Sequence, residues 1–308
     1  MLVSQTDSHS PVQPFLKWAG GKRWLAPALA DLFGSADGRH VEPFAGSAAF
    51  FFASNAREAV LADINKELIN CFCVVRDNVS ELINRLKRLS VDADTFCQQR
   101  RAQLRSDVSR AARFIYLNRA AFNGLYRVNK NGRFNVPFGC KPNTQLCDAE
   151  GLFRCSDRLS GTVLTVADFE ATLSSVSDSD RVFVDPPYTV KHNMNAFRRY
   201  NEKLFSWDDQ IRLAGVMHRL ANDAGRIILT NANHQDVRRL YSPQCFFAFA
   251  ISRATNMAAI TEKRGMSEEL LIVSRAAGVS ARKLRTVLTS HFPGRVDSVR
   301  LLGGQSIG

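Results

Sequence analysis

No cysteine pair in this sequence of 308 residues has the spacing of a metal site. Cys71 and Cys73 form a lone C-x-C inside an apolar helical pattern, and Cys140, Cys147 and Cys155 lack paired partners and nearby histidines. An odd set of seven with no signal peptide ahead of it implies reduced thiols and a cytoplasmic protein. The first dozen residues, MLVSQTDSHSPV, have no basic region followed by an apolar stretch and read as a flexible lead-in. No apolar run approaches the roughly 18–20 residues that cross a bilayer, so no membrane partner is expected. No internal repeat is visible, and the Gly20-Gly21-Lys22 stretch lacks the G-x-x-x-x-G-K-S/T spacing of a phosphate-gripping loop. Acidic residues are the scarcer charge: 29 Asp and Glu against 41 Lys and Arg leave a net charge of +12. That excess suits a polyanionic partner such as nucleic acid, and equally suits a plain basic protein.

What is present is ordinary for a globular chain: 45% apolar and 23% charged residues, enough for one large domain or two modest ones. Three stretches read as strand, tight turn and onward helix. They are RHVEPFAGSAAFFFASN (39–55), EAVLADINKELINCFCVV (58–75) and RVFVDPPYTV (181–190). RIILTNAN (226–233) and ELLIVSR (269–275) are strand-like, and an amphipathic helix is predicted at about 206–222. Strands alternating with helices predict an α/β fold with a doubly wound, mostly parallel sheet, whose ligands sit at the carboxyl ends of the strands. Residues 64–159 differ: they read as mostly helical and basic, and they include the turn-rich NGLYRVNKNGRFNVPFG (123–139), with a hairpin signal at Asn131-Gly132. The expected organisation is a catalytic domain in two parts, 1–63 and 160–275, an inserted second domain at 64–159, and a basic tail of uncertain order at 276–308.

Asp63 closes an apolar run, where a carboxylate can accept two hydrogen bonds from the cis-diol of a ribose. Taken alone, a cap for the helix that begins at Ile64 is the stronger reading. In FLKWAGGKRWL (15–25), a Gly-Gly turn could bring Trp18 and Lys22 onto a ligand, but a helix lead-in with Trp18 in the core is locally the better reading. The Asp185-Pro186-Pro187-Tyr188 stretch is more specific. Pro187 has no N–H, so the Pro186 carbonyl escapes a ladder partner and is free to accept from a substrate. Asp185 and that carbonyl could hold both protons of an exocyclic amino group, with Tyr188 stacked on the ring that bears it.

Five stretches, in order, resemble the Dam-type, D12 class N6-adenine-specific DNA methyltransferases. They are FLKWAGGK (15–22), VEPFAGSAAFFF (41–52), LADIN (61–65), YLNRAAFNGLYRVNKNGRFNVPFG (116–139) and VFVDPPY (182–188), and the likeness reaches from about residue 14 to about residue 275. The resemblance implies the S-adenosylmethionine-dependent methyltransferase fold and methylation of adenine N6 in double-stranded DNA, with GATC as the common target. It implies that Trp18, Lys22, Phe44 and Gly46 face the cofactor, that Asp63 holds its ribose, and that Asp185 stands where cofactor and target base meet. Residues 64–159 become the target-recognition domain, in which Phe122 matches an aromatic wedge inserted into the base stack. Lys17, Asn123, Leu125, Arg127 and Pro137 match DNA-contacting positions. Arginine reads guanine bidentately, and Leu and Pro can touch thymine methyls.

Direct transfer to N6 would need no nucleophilic cysteine and no metal. The working form expected is a monomer on duplex DNA, with a cognate restriction enzyme left open. Two positions depart from the family pattern. Ala48 stands where a second glycine is usual, and Cys140-Lys141 stand where relatives carry an arginine and an aromatic, so outer recognition differs. The basic stretch HNMNAFRRY (192–200) is expected to close over substrate. The rival readings are an RNA or protein-amide methyltransferase, and a DNA-binding protein of the same fold with weakened catalysis.

Overall fold

Strands β1 (His40–Glu42), β2 (Ala59–Asp63) and β4 (Arg181–Val184) each run into one of the expected turns. The computed structural model describes residues 12–33, 38–129, 131–140, 144–189, 205–223, 225–254, 266–291 and 296–301. The lead-in before residue 12, Lys141 and the stretch 192–200 lie outside them. All four residues of β4 are buried, and β2 is buried up to Asp63. Strands covered on both faces need continuous apolar runs rather than alternation, which is why VFV and AVLA read so plainly. After β1 the chain turns through 43–48 into helix α2 (Ala49–Ala53), whose Phe50, Phe51 and Phe52 are buried.

Packing divides the chain into two compact units, residues 1–27 with 45–166 and residues 28–44 with 167–308. In the first, β2 pairs in parallel with β3 (Val163–Val166). Helices α3 (Lys66–Asp77), α4 (Val79–Leu86), α5 (Ala93–Arg101), α6 (Asp107–Ala120) and α7 (Ala149–Leu159) belong to the same unit. Phe15, Phe52, Phe72, Leu82, Ile115 and Leu152 share one core there. A smaller core of Phe96, Tyr116, Leu117, Phe134 and Val136 lies under the turn-rich segment. The boundaries of these compact units fall at 27/28, 44/45 and 166/167. Helices α3, α4, α6 and α7 bury apolar side chains together with α2 and β2, at about 1.5–3 kcal/mol for each large side chain.

In the second unit β1, β4 and β5 (Arg226–Ala232) run parallel. Strand β7 (Met266–Ser274) pairs antiparallel with β5, and β6 (Phe246–Ala254) pairs antiparallel with β7. The helix Trp207–Asn222 appears where expected, started by a capping box between Ser206 and Asp209. The tail read as being of uncertain order instead forms the helix Ala281–His291 and β8 (Val296–Leu301), which pairs antiparallel with β6. Its basic composition hid a strand that needs a distant partner. The α/β class stands, with parallel pairing of β2 with β3 and among β1, β4 and β5. Among the described residues, no helix is long and apolar enough to cross a membrane.

Candidate active site

The turn after β1 is built around Asp63. The Gly46 N–H donates to Asp63 Oδ2 at 3.2 Å and the Asn65 N–H donates to Oδ1 at 2.9 Å, while Ala45 N donates to the Ala62 carbonyl at 2.8 Å. Asp63 is not the helix cap. That place belongs to Asn65, whose side chain accepts from Glu67 N and Leu68 N. Burial pushes the Asp63 carboxyl above its ordinary pKa, against the two backbone N–H groups that favour its charge. A carboxylate has about four lone-pair sites, and these contacts occupy two, so a diol still has acceptors available. The residues present thus fit the ribose of a nucleoside cofactor.

Gly46 has φ 49°, and a Cβ there would fall 3.0 Å from Trp18 Cδ1 and 3.1 Å from its Nε1. The indole lies against the turn's backbone and stacks on Tyr126 at 5.7 Å and 17°, and on Phe114 at 6.4 Å and 24°. Lys22 is buried, with Nζ donating to the Gly20 carbonyl at 2.6 Å. Its own carbonyl accepts from Leu25 N and Ala26 N, so the Gly-Gly turn also leads into helix α1 (Ala26–Phe33). Phe44 packs in the other unit, stacked on Phe169 at 5.5 Å and edge-on to Phe205 at 5.4 Å.

Ala48, the departure from the glycine pattern, sits in the left-handed region at φ 51°, ψ 38° and is fully buried. That conformation costs an L-residue roughly 1–2 kcal/mol. Glycine would relieve it, but would forfeit a buried methyl worth about 0.8 kcal/mol and add about 0.5–1 kcal/mol of backbone entropy. Urea unfolding of Ala48→Gly should therefore differ from the parent by less than about 1 kcal/mol. Ala48→Val, β-branched at positive φ, should lose about 1–3 kcal/mol or more. Equal stability of the two variants would show that the backbone at 48 is not constrained.

At the end of β4, half-buried Asp185 accepts at Oδ1 from the Thr230 hydroxyl of the paired strand β5, at 2.6 Å. Pro186 is buried, while Pro187 and Tyr188 are half-buried. The Tyr188 hydroxyl lies 3.5 Å from Glu269 Oε2, too long for a strong hydrogen bond. Below it, buried Thr189 donates to the Phe205 carbonyl at 2.7 Å, which anchors the exit of the Pro-Pro turn. Thr230 was not singled out from the sequence, because only the β4–β5 register puts it beside Asp185.

The residues matched to DNA contacts share the first unit. Phe122 is 49% exposed, on a turn where Asn123 and Gly124 have φ 54° and 64°. Its N–H donates to the Pro137 carbonyl at 2.9 Å, so the two residues are held side by side. Val128 bridges Phe134 antiparallel, confirming a hairpin about Asn131-Gly132, and Asn129 Oδ1 accepts from the N–H groups of Asn131 and Arg133. Exposed Arg127 donates from Nε to Asn135 Oδ1 at 2.8 Å. Asn135 is a second residue that sequence reasoning missed. Leu125 is half-buried, while Lys17, Pro137 and Cys140 are exposed. Buried Asn118, also unforeseen, bonds to the main chain of Lys17.

Two constellations are thus on view: a glycine turn closed by a strand-end carboxylate, and a strand-end Asp-Pro-Pro-Tyr. The D12 class N6 adenine-specific DNA methyltransferase family matches residues 18–260. The Type II methyltransferase M1.LlaDCHI of Lactococcus lactis subsp. cremoris is 33% identical over 273 residues, 85% of this chain and 95% of that one. The Type II methyltransferase M.MjaIII of Methanocaldococcus jannaschii is 31% identical, covering 85% of this chain and 99% of its own. The DNA adenine methylase of Haemophilus influenzae is 31% identical, covering 89% and 98%. The chain belongs to the D12 class N6 adenine-specific DNA methyltransferase family.

Proposed function

We propose that the protein transfers a methyl group from S-adenosylmethionine to adenine N6 in duplex DNA, at GATC. The observation that carries this reading is Asp185 at the end of buried β4, oriented by Thr230 and followed by the Pro186 carbonyl. The cofactor supplies an activated methyl on a sulfonium. Asp63 accepts from the ribose hydroxyls, and the Gly46 turn with Trp18 fixes its side chain. Asp185 and the Pro186 carbonyl accept from the two N6 hydrogens, aiming the nitrogen lone pair, while Tyr188 stacks on the flipped base. As N6 gained the methyl, the methyl–sulfur bond would break to leave a neutral thioether, and the surplus proton on N6 would pass to water; Asp185 and the Pro186 carbonyl orient the amine for that step. Phe122 fills the gap left in the stack. Lys17, Asn123, Leu125, Arg127 and Pro137 face the base edges.

Plasmid from cells expressing the protein should resist a GATC-cutting nuclease blocked by adenine methylation, and single-molecule sequencing should place the modification at GATC. Modification at other adenines would remove GATC and leave the chemistry. No modified adenine would remove the reading. Arg127 reads a guanine in this scheme; its Nε donates to Asn135 Oδ1 at 2.8 Å and its Nη2 lies 3.5 Å from the Asn135 carbonyl, and the Nη groups still carry further N–H donors for the base. A bidentate pair is worth about 1–3 kcal/mol of discrimination. Methylation profiles of Arg127→Ala should therefore relax at one base pair of the site, while a uniform fall across all sequences would contradict that role.

A further inference from the structure

Segments 17–18 and 124–126 are far apart in sequence and fastened together twice. The first fastening is Asn118 in α6, which is 0% exposed. Its Oδ1 accepts from Lys17 N at 2.9 Å, and its Nδ2 donates to Lys17 O at 2.6 Å and to Gly124 O at 3.3 Å. One side chain thus engages both main-chain groups of Lys17, as a neighbouring strand would, and holds the wedge turn as well. The Lys17 stem lies on that turn, for a Cβ at Gly124 would fall 2.6 Å from Lys17 Cδ. The second fastening is the stack of Trp18 on Tyr126, backed by Phe114, whose ring is 4.7 Å from Tyr126. Tyr126 continues to Phe134 in the hairpin at 5.8 Å.

These contacts join two duties. Trp18 touches the Gly46 turn, which holds Asp63, and Tyr126 stands between Leu125 and Arg127. Plain core packing would be served by a leucine at 118. A buried amide is tolerated only when its hydrogen bonds are met, and here all three go to main-chain groups of the two segments. Resting on the function proposed above, we propose that Asn118 and Tyr126 are positioning residues that make cofactor binding and base reading one event. Order imposed on the Gly46 turn passes through Trp18 to the reading segment, so each ligand tightens the other by the same factor.

The test uses the full chain, S-adenosylhomocysteine as a non-reacting cofactor, and a duplex carrying the site that the protein methylates. Duplex Kd is measured with and without S-adenosylhomocysteine, and S-adenosylhomocysteine Kd with and without duplex. The parent should show the same enhancement both ways, about tenfold. Tyr126→Leu and Asn118→Leu should bring it close to one. S-adenosylhomocysteine affinity without DNA should stay within about twofold, a split that general unfolding would not produce. Tyr126→Phe, which keeps the ring, should keep the enhancement. If Asn118→Leu does not fold, Tyr126→Leu decides. A folded Tyr126→Leu with the parent's enhancement overturns the inference, as does a methylating parent with none. A chain that methylates no adenine overturns the proposed function and this inference with it.

Discussion

Asp185→Ala is expected to lower methyl transfer at saturating cofactor by about a hundredfold or more, the scale on which single preorganised groups act. The carboxylate is one of two acceptors proposed for the target amine, and its direction is set by the 2.6 Å bond from Thr230. The fold should survive, because the side chain is only half-buried and the strand beneath it keeps its buried Val182, Phe183 and Val184. Thr230→Val should fall between parent and Asp185→Ala, since it leaves the acceptor but frees its rotamer. Single-turnover rates on a methylatable duplex would decide the matter. Retention of more than a few per cent of the parent rate by Asp185→Ala would refute the assignment, and a loss confined to cofactor affinity would make Asp185 a cofactor ligand.

Asp63→Ala should raise the cofactor's Kd about tenfold or more, since hydrogen bonds to a charged group are worth about 1.5–3 kcal/mol. Calorimetry without DNA measures this directly, and an unchanged Kd would leave Asp63 with only its role of holding the turn. The residue also predicts a pH dependence. Burial raises its pKa in the folded chain, so the proton returns at a pH above the ordinary carboxylate range. Below that point Asp63 is neutral, and ribose hydroxyls lose an anionic acceptor. Cofactor affinity should therefore fall as pH is lowered through the raised value, and Asp63→Ala should abolish that step. Folding has the opposite sign. A carboxyl with a raised folded-state pKa stabilises most below its unfolded value, and that contribution is lost as pH rises through the folded one.

Strand ends were legible because buried parallel strands advertise themselves as short apolar runs, and a carboxylate ending such a run stands out. That logic singled out Asp63 and Asp185, yet it could not set aside a helix cap at Asp63; in the structure Asn65 takes the capping bonds. Thr230, Asn118 and Asn135 were not legible, since each matters through a partner set by register or tertiary packing. Asn118 in particular lies 101 residues from Lys17. Helical composition marks where helices are, and not which strand their apolar faces cover. Ala48 shows the converse, a sequence departure that sits in a left-handed backbone conformation.

Strand β8 gives the end of the chain a protective duty. Strand β6 runs for nine residues as FFAFAISRA, and β8 pairs along one side of it from Phe249 to Arg253. Stripped of that neighbour, an aromatic-rich ribbon would offer open N–H and C=O groups to any extended chain, which is how edge strands recruit copies of themselves. The replacement rim is shorter, six residues against nine, and short edges recruit less readily. An expression boundary drawn at residue 276, where composition alone would place it, would keep every residue proposed for methyl transfer and still yield a protein prone to self-association.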